Sequence, residues 1–101
     1  MIIETNMLPK HVNGMAIWPF ILVRPEKRTE RLVNHERIHL AQQLETLILP
    51  FYVLYLGFYL WNRMDHDHQD AYVRIPFEAE AFDHDDDLEY LDNRRLWEWA
   101  R

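Results

Sequence analysis

The sequence predicts a mainly α-helical protein of the α+β class, with three to four helices and one short N-terminal strand or hairpin. Apolar residues between positions 29 and 49 recur at helical spacing, and a second apolar segment follows directly after Pro50. The clearest strand-like stretch lies near the N-terminus, at residues 15–24. The 101 residues contain no internal repeat and no linker-like segment, so we expect one domain over residues 1–101.

Residues 15–24 are predicted to be extended because they form an almost continuous apolar run that ends at Arg24-Pro25. Pro19 lies inside this run and has no backbone N–H to donate. The strand is therefore expected to lie at a sheet edge or to be irregular.

Two helices are predicted in the middle of the chain. The first runs from about Thr29 to Leu49, and Pro50 ends or kinks it because proline cannot donate to the preceding turn. The second is an aromatic helix from about Phe51 to Arg63. The first helix is supported by apolar residues at helical spacing, namely Leu32, Ile38, Ala41, Leu44, Leu47 and Ile48.

The second half of the chain contains two acidic, histidine-containing patches, at residues 65–70 and 83–87, which are predicted to be loops. Pro76 suits the first turn of a third helix, from about Phe77 to His84. Asp86 and Glu89 have the spacing of a capping box before a last helix. The apolar residues of that last helix are Leu88, Leu91, Leu96 and Trp97.

The composition excludes several classes of protein. A net charge of −6 argues against nucleic-acid binding, which needs clustered Lys and Arg. The chain has no cysteine, so any metal must be bound by His, Asp or Glu. The sequence Met-Ile-Ile-Glu at positions 1–4 lacks the basic segment and long apolar core of a secretory signal, so a cytoplasmic protein is expected.

The run from Leu47 to Trp61 is almost wholly apolar, so contact with a membrane is an alternative to the expected cytoplasmic location. Spanning a bilayer takes roughly 20 such residues, and this run is shorter and contains Pro50. Two interpretations remain, a buried core helix or peripheral membrane contact through residues 47–61. Membrane association is therefore the alternative to a freely cytoplasmic location.

Residues 35–39 read His-Glu-Arg-Ile-His, the pattern H-E-x-x-H, inside the predicted long helix. Residues four apart on a helix are offset by about 40°, so the rings of His35 and His39 face the same way and can grip one ion. Glu36 lies one step round the helix, within reach of a water on the metal. Zinc lowers the pKa of that water to near neutrality, and Glu36 would take its proton as general base. Two exposed histidines on a solvated face would leave this otherwise buried-looking segment unexplained.

A catalytic zinc is expected to have three protein ligands, so one more is needed. The residues after His39 are Leu-Ala-Gln-Gln-Leu-Glu, which lack the glycine and third histidine of the metzincins and exclude that class. The best source of the third metal ligand is the segment at residues 77–83, Phe-Glu-Ala-Glu-Ala-Phe-Asp. Glu78 and Glu80 lie about 200° apart round a helix, so only one of them can face the metal.

These motifs resemble those of the gluzincin zinc metallopeptidases, and the chain is about as long as the minigluzincins. Small predicted metallopeptidase domains also have x-x-Q-Q after H-E-x-x-H, as residues 40–43 do here. The resemblance covers about residues 15–85 and implies a minimal zincin-like core. It implies one zinc ion bound by His35, His39 and Glu78, with Glu36 as the catalytic base. Glu80 remains the alternative metal ligand.

The resemblance has one departure. Ala81 matches the small residue that lets the two helices approach, but the family often has Asp directly after it, to orient a ligand histidine. Here Phe82 and then Asp83 follow. The identity of the supporting acid is therefore left open by the sequence.

Peptide hydrolysis also needs a hydrogen-bond donor for the oxyanion that forms on the scissile carbonyl. Arg74 and Tyr72, like His66 and His68, lie shortly before the predicted Glu78 helix. Arg74 and Tyr72 are the candidate transition-state stabilisers. Zincins commonly pair an extended substrate with an edge strand, a role open to the strand at residues 17–23.

The predicted function is that of a zinc metalloendopeptidase, active or latent, which hydrolyses peptide bonds through a zinc-bound water activated by Glu36. The resemblance implies peptide or protein substrates. The alternative is a non-catalytic zinc-binding or membrane-associated interaction protein that retains the H-E-x-x-H site. The sequence leaves the oligomeric state open.

Overall fold

The computed structural model describes residues 1–100 and confirms a mainly α-helical α+β fold. Its three strands are β1 (Ile2–Glu4), β2 (Gly14–Ile17) and β3 (Phe20–Val23). Its five α-helices are α1 (Glu30–Glu45), α2 (Leu49–Arg63), α3 (His68–Val73), α4 (Pro76–His84) and α5 (Tyr90–Asn93). Short 3₁₀ turns are present at Pro25–Lys27 and Glu98–Ala100.

The predicted extended segment is a β-hairpin in a three-stranded sheet of order β1-β3-β2. β2 pairs antiparallel with β3, with Met15 opposite Leu22. Pro19 lies in the turn, after a cis peptide bond, and not within a strand. β1 pairs parallel with β3 and was not predicted, because three residues are too few to show a periodic pattern. β2 is an edge strand, as the prediction allowed.

Helix α1 is shorter than predicted. It begins at Glu30, where the Thr29 side chain accepts a hydrogen bond from the Leu32 N–H at 3.0 Å, and it ends at Glu45 and not at Leu49. The backbone φ angles of Leu47 and Ile48 are positive, 63° and 68°, so the chain turns before it reaches Pro50. That proline lies in the first turn of α2, where its missing N–H costs little.

The helices α1 and α2 are bent by 111° relative to each other. Taken singly, no helix in residues 1–100 has both the length and the apolarity to cross a membrane. The bent pair of α1 and α2 meets those two criteria when its members are counted together.

Two predictions for the second half of the chain were wrong. The acidic patch at 65–70 is not all loop, because Asp67 caps α3 by accepting a hydrogen bond from the Asp70 N–H at 2.9 Å. The last α-helix is only four residues long, and Glu89 at its N-cap makes no side-chain capping bond. Asp87, and not Asp86, accepts a bond from the Glu89 N–H at 3.1 Å. The third predicted helix is α4, which begins one residue earlier, at Pro76.

Helix α1 lies at the centre of the packing. One side of it contacts the sheet through Val33, which clusters with Ile21 and Val23. Its other side contacts α4, where Ile38 packs on the fully buried Ala81. The small side chain at position 81 lets α1 and α4 approach closely. This approach determines where the polar face of α4 meets the histidines of α1.

Candidate metal centre

The side chains of His35, His39 and Glu78 converge on one point between α1 and α4. The Nε2 atoms of both histidines lie 3.0 Å from Oε1 of Glu78. One ligand atom from each of the three residues lies within 4.8 Å of the others, and all three residues are buried. They are therefore close enough to hold a metal ion.

The groups behind each ring determine where the ring protons lie. His35 Nδ1 lies 3.0 Å from a carboxylate oxygen of Asp85, which can only accept a hydrogen bond, so this nitrogen carries a proton. His39 Nδ1 lies 2.7 Å from Oε1 of Gln42. The Gln42 amide cannot be flipped, because its nitrogen donates to the Phe77 carbonyl, at 2.9 Å, and to a carboxylate of α4.

Neutral rings with both Nδ1 atoms protonated would present two Nε2 lone pairs to the same Glu78 oxygen. Three acceptors then converge in a buried site, which is unfavourable unless a metal ion lies between them or one ring takes up a second proton. The donor set of two imidazoles and one carboxylate, without a thiolate, is one that zinc accepts. The residues present therefore fit a divalent metal of this kind.

The pKa values of His39 and Glu78 also favour a positive charge at this site. Burial of the His39 ring disfavours its charged form, but the Glu78 carboxylate outweighs this and raises the pKa of His39 to about 9. Burial of Glu78 favours its neutral form, yet the neighbouring histidines hold its pKa well below the ordinary value. A metal that binds here at neutral pH must displace the proton that this carboxylate stabilises.

Glu36 lies beside this cluster and is not one of the three converging residues. Its carboxylate is buried and lines the adjacent cleft, and within residues 1–100 it accepts no hydrogen bond. Burial raises its pKa, while the charges of His39 and His35 oppose that rise. A Cβ on Gly14 would lie 3.4 Å from a Glu36 oxygen and 3.2 Å from the Leu32 side chain. The glycine therefore leaves room next to this carboxylate.

The acid that orients His35 is Asp85, which sequence reasoning missed. It lies at the C-cap of α4, four residues after Ala81, and its other carboxylate oxygen accepts from Arg31 Nε at 2.7 Å. The Asn34 amide donates to the backbone carbonyl of Asp85 at 3.0 Å. Phe82, directly after Ala81, is not the supporting acid, and its ring packs on His35 with centroids 4.6 Å apart. In the sequence, the polar Asn34 directly before the H-E-x-x-H motif was the one available indication that a polar segment packs behind His35.

We predict that Asp85→Asn weakens zinc binding. The amide removes the charge that holds His35 in the correct tautomer, and loss of such a partner typically costs 10- to 100-fold in metal affinity. The measurement is a competition titration of zinc against a chromophoric chelator. Asp83→Asn, an exposed aspartate on the same helix, serves as control and should bind zinc like the parent. Equal affinities in the two variants would show that Asp85 has no orienting role.

Glu80, the alternative ligand, faces away from the histidines. Its carboxylate accepts from Tyr90 Oη at 2.7 Å, from the Gln42 amide at 2.9 Å and from Arg94. Arg94 also donates two hydrogen bonds to Glu45, at 2.8 and 2.9 Å. Burial favours the neutral form of Glu80, but the hydrogen bonds that it accepts from Arg94, Gln42 and Tyr90 outweigh this and lower its pKa. Glu80 thus supports Gln42, which in turn orients His39.

The cluster opens onto a cleft of about 1090 Å³ between β2, α1, α2 and α3. Tyr72 lines this cleft and is half-buried. Its burial, and to a smaller extent the charge of the Glu78 carboxylate, raise the pKa of its phenol. Tyr55 also lines it and donates a hydrogen bond to Oε2 of Glu78. Arg74 is exposed at the C-cap of α3 and is not among the cleft residues. The structure therefore brings Tyr72, and not Arg74, to the site.

The comparisons with known proteins add no information about this site. No family model, no curated protein and no solved structure matches this chain.

Proposed function

We propose that this protein is a zinc-dependent peptidase of the gluzincin type, with one zinc ion bound by His35, His39 and Glu78. The observation that carries the proposal is the convergence of two imidazole Nε2 atoms, 3.0 Å each, on one carboxylate oxygen. Each Nδ1 atom lies next to an acceptor oxygen, of Asp85 or of Gln42, which favours the tautomer that carries its proton on Nδ1 and leaves the Nε2 lone pair for a cation.

The metal would supply Lewis acidity and lower the pKa of a water molecule in its open position. Glu36 is the general base, because its carboxylate faces the cleft next to the ligands and is not used in any hydrogen bond among residues 1–100. It takes a proton from the attacking water and passes it to the leaving amine. Tyr72 is the proposed hydrogen-bond donor to the carbonyl oxygen of the substrate, since its phenol lies in the same cleft and stays protonated.

The proposed substrate is a peptide or protein segment in an extended conformation, held against β2. Near the hairpin turn the outer edge of β2 is already occupied, because Gln43 donates to the Ala16 carbonyl at 2.8 Å and accepts from the Trp18 N–H at 2.9 Å. The Gly14 end of β2 lines the cleft next to Glu36. A substrate strand would therefore pair with β2 at its Gly14 end.

Zinc loading and hydrolysis of an unfolded, fluorescently labelled protein test the proposal together. We expect one zinc per chain, X-ray absorption data with two nitrogen ligands and one carboxylate at about 2.0–2.2 Å, and cleavage that stops when a chelator removes the metal. A zinc shell made only of oxygen atoms would contradict the site. One tightly bound zinc without any hydrolysis would instead identify the non-catalytic alternative.

A further inference from the structure

The outer face of α2 is an exposed apolar surface. Between Thr46 and Asn62 the chain contains no Asp, Glu, Lys or Arg. Only Phe51 of the whole helix is fully buried. The exposed apolar side chains of α2 and its C-cap, here called the α2 face, are Leu49, Val53, Leu54, Leu56, Leu60, Trp61 and Met64. So large an uncharged surface indicates an interaction site.

The α2 face has the pattern of a helix–helix seam. Leu49, Val53, Leu56 and Leu60 are spaced by four, three and four residues, which places them within about 60° of one another around the helix. This is the alternation of a and d positions in a coiled coil, with Val53 at a and Leu56 at d. The buried Phe51 and the partly buried Tyr55 and Phe58 lie on the opposite side and pack on the core.

The backbone in the middle of the seam is open to close approach. Gly57 follows Leu56, and a Cβ built on it would meet nothing within 4 Å. A second helix could therefore pack against the seam at the usual interaxial distance of about 8–10 Å. The seam residues, with Trp61 and Met64, are each more than half exposed. A standard protein interface takes about 800 Å² from each partner, and these large apolar side chains are the surface that α2 offers to one.

The charges near α2 favour a second copy of this protein, and not a lipid surface, as the partner of the α2 face. Helices that lie on membranes carry Lys and Arg on their polar face to bind anionic headgroups. Here Arg63 is the only Lys or Arg between Arg37 and Arg74, and an aspartate-rich segment, residues 65–70, follows it. A protein with a net charge of −6 is also repelled by an anionic bilayer. A second copy presents the same uncharged seam and needs no basic residues.

We propose that the protein is a homodimer in which the α2 face of one copy packs on the α2 face of the other. The two-fold symmetry of a homodimer makes one self-complementary surface sufficient. The proposal does not depend on the metal centre, because α2 lines that cleft with Phe51, Tyr52 and Tyr55 and with none of the seam residues.

Sedimentation velocity of the full chain tests this. At tens of micromolar, without detergent, we expect a species of twice the 12.5 kDa chain mass. Leu56→Glu should raise the dimer dissociation constant roughly 100-fold or more, because symmetry places two carboxylates in one apolar contact. Since Leu56 is 56% exposed, the variant should keep the parent's circular dichroism. Leu88→Glu, at a residue 54% exposed, is the matched control and should remain dimeric.

The absence of cysteine allows a second readout that does not depend on mass. Single-cysteine variants Val53→Cys and Leu56→Cys lie at the centre of the seam, so at least one should give a disulfide-linked dimer on mild oxidation. Leu88→Cys should not. A monomeric parent, or a dimer that Leu56→Glu leaves intact, would overturn the proposal. A monomer that co-sediments with phosphatidylcholine vesicles, and fails to do so as Leu56→Glu, would assign the face to lipid instead.

Discussion

Glu36→Gln is expected to abolish peptide hydrolysis while leaving zinc bound. Glu36 lies outside the set of His35, His39 and Glu78, so its replacement removes no ligand. Glutamine has nearly the same size but cannot accept a proton, and loss of a general base typically costs about 10²- to 10⁴-fold in rate. The measurement is the initial rate on an unfolded labelled protein at saturating zinc, with zinc affinity determined on the same samples.

The control for this experiment is Glu30→Gln, the same chemical change at an exposed position in the first turn of α1. It should cleave at the parent's rate. Parent-like cleavage by Glu36→Gln would rule out the proposed mechanism. Loss of zinc from Glu36→Gln would show instead that Glu36 is a ligand, and the proton would then need another acceptor.

The parts of the site that were predictable are those fixed by local geometry. His35 and His39 share a face because they lie one helical turn apart, whatever the rest of the fold does. The opposite directions of Glu78 and Glu80 follow in the same way from their separation of about 200° on α4. The structure turns Glu78 toward the histidines and Glu80 toward Arg94. The fold class was predictable for the same reason, since helical periodicity is a local property.

The parts that were missed depend on contacts between distant segments. Asp85 is 50 residues from His35, and the turn at the end of α4 that brings it back leaves no periodic pattern. Arg94 reaches Glu45 across 49 residues. The early end of α1 depends on the left-handed conformation of Leu47, which is rare for a leucine and has no signature in an apolar run. Tertiary packing outweighs local preference in each case.

Glu78→Gln is expected to lower zinc affinity by more than about 100-fold, beyond the range for loss of a supporting partner. The amide keeps the size of the side chain and still accepts a hydrogen bond from Tyr55, so the fold should survive. It removes the negative charge that lies 3.0 Å from both Nε2 atoms, so two neutral imidazoles alone would have to hold the cation.

The matched variant Glu80→Gln separates the two glutamates. Its side chain contacts Gln42 and Arg94 and lies away from the histidines, so zinc affinity should stay within about tenfold of the parent. Its measurable cost should be in stability, because Arg94 loses one of the two carboxylates that pair with its buried charge. Zinc competition and thermal unfolding on both variants therefore give opposite patterns if Glu78 is the ligand. The reverse pattern, with zinc lost in Glu80→Gln and kept in Glu78→Gln, would require α4 to rotate by about half a turn on binding the metal.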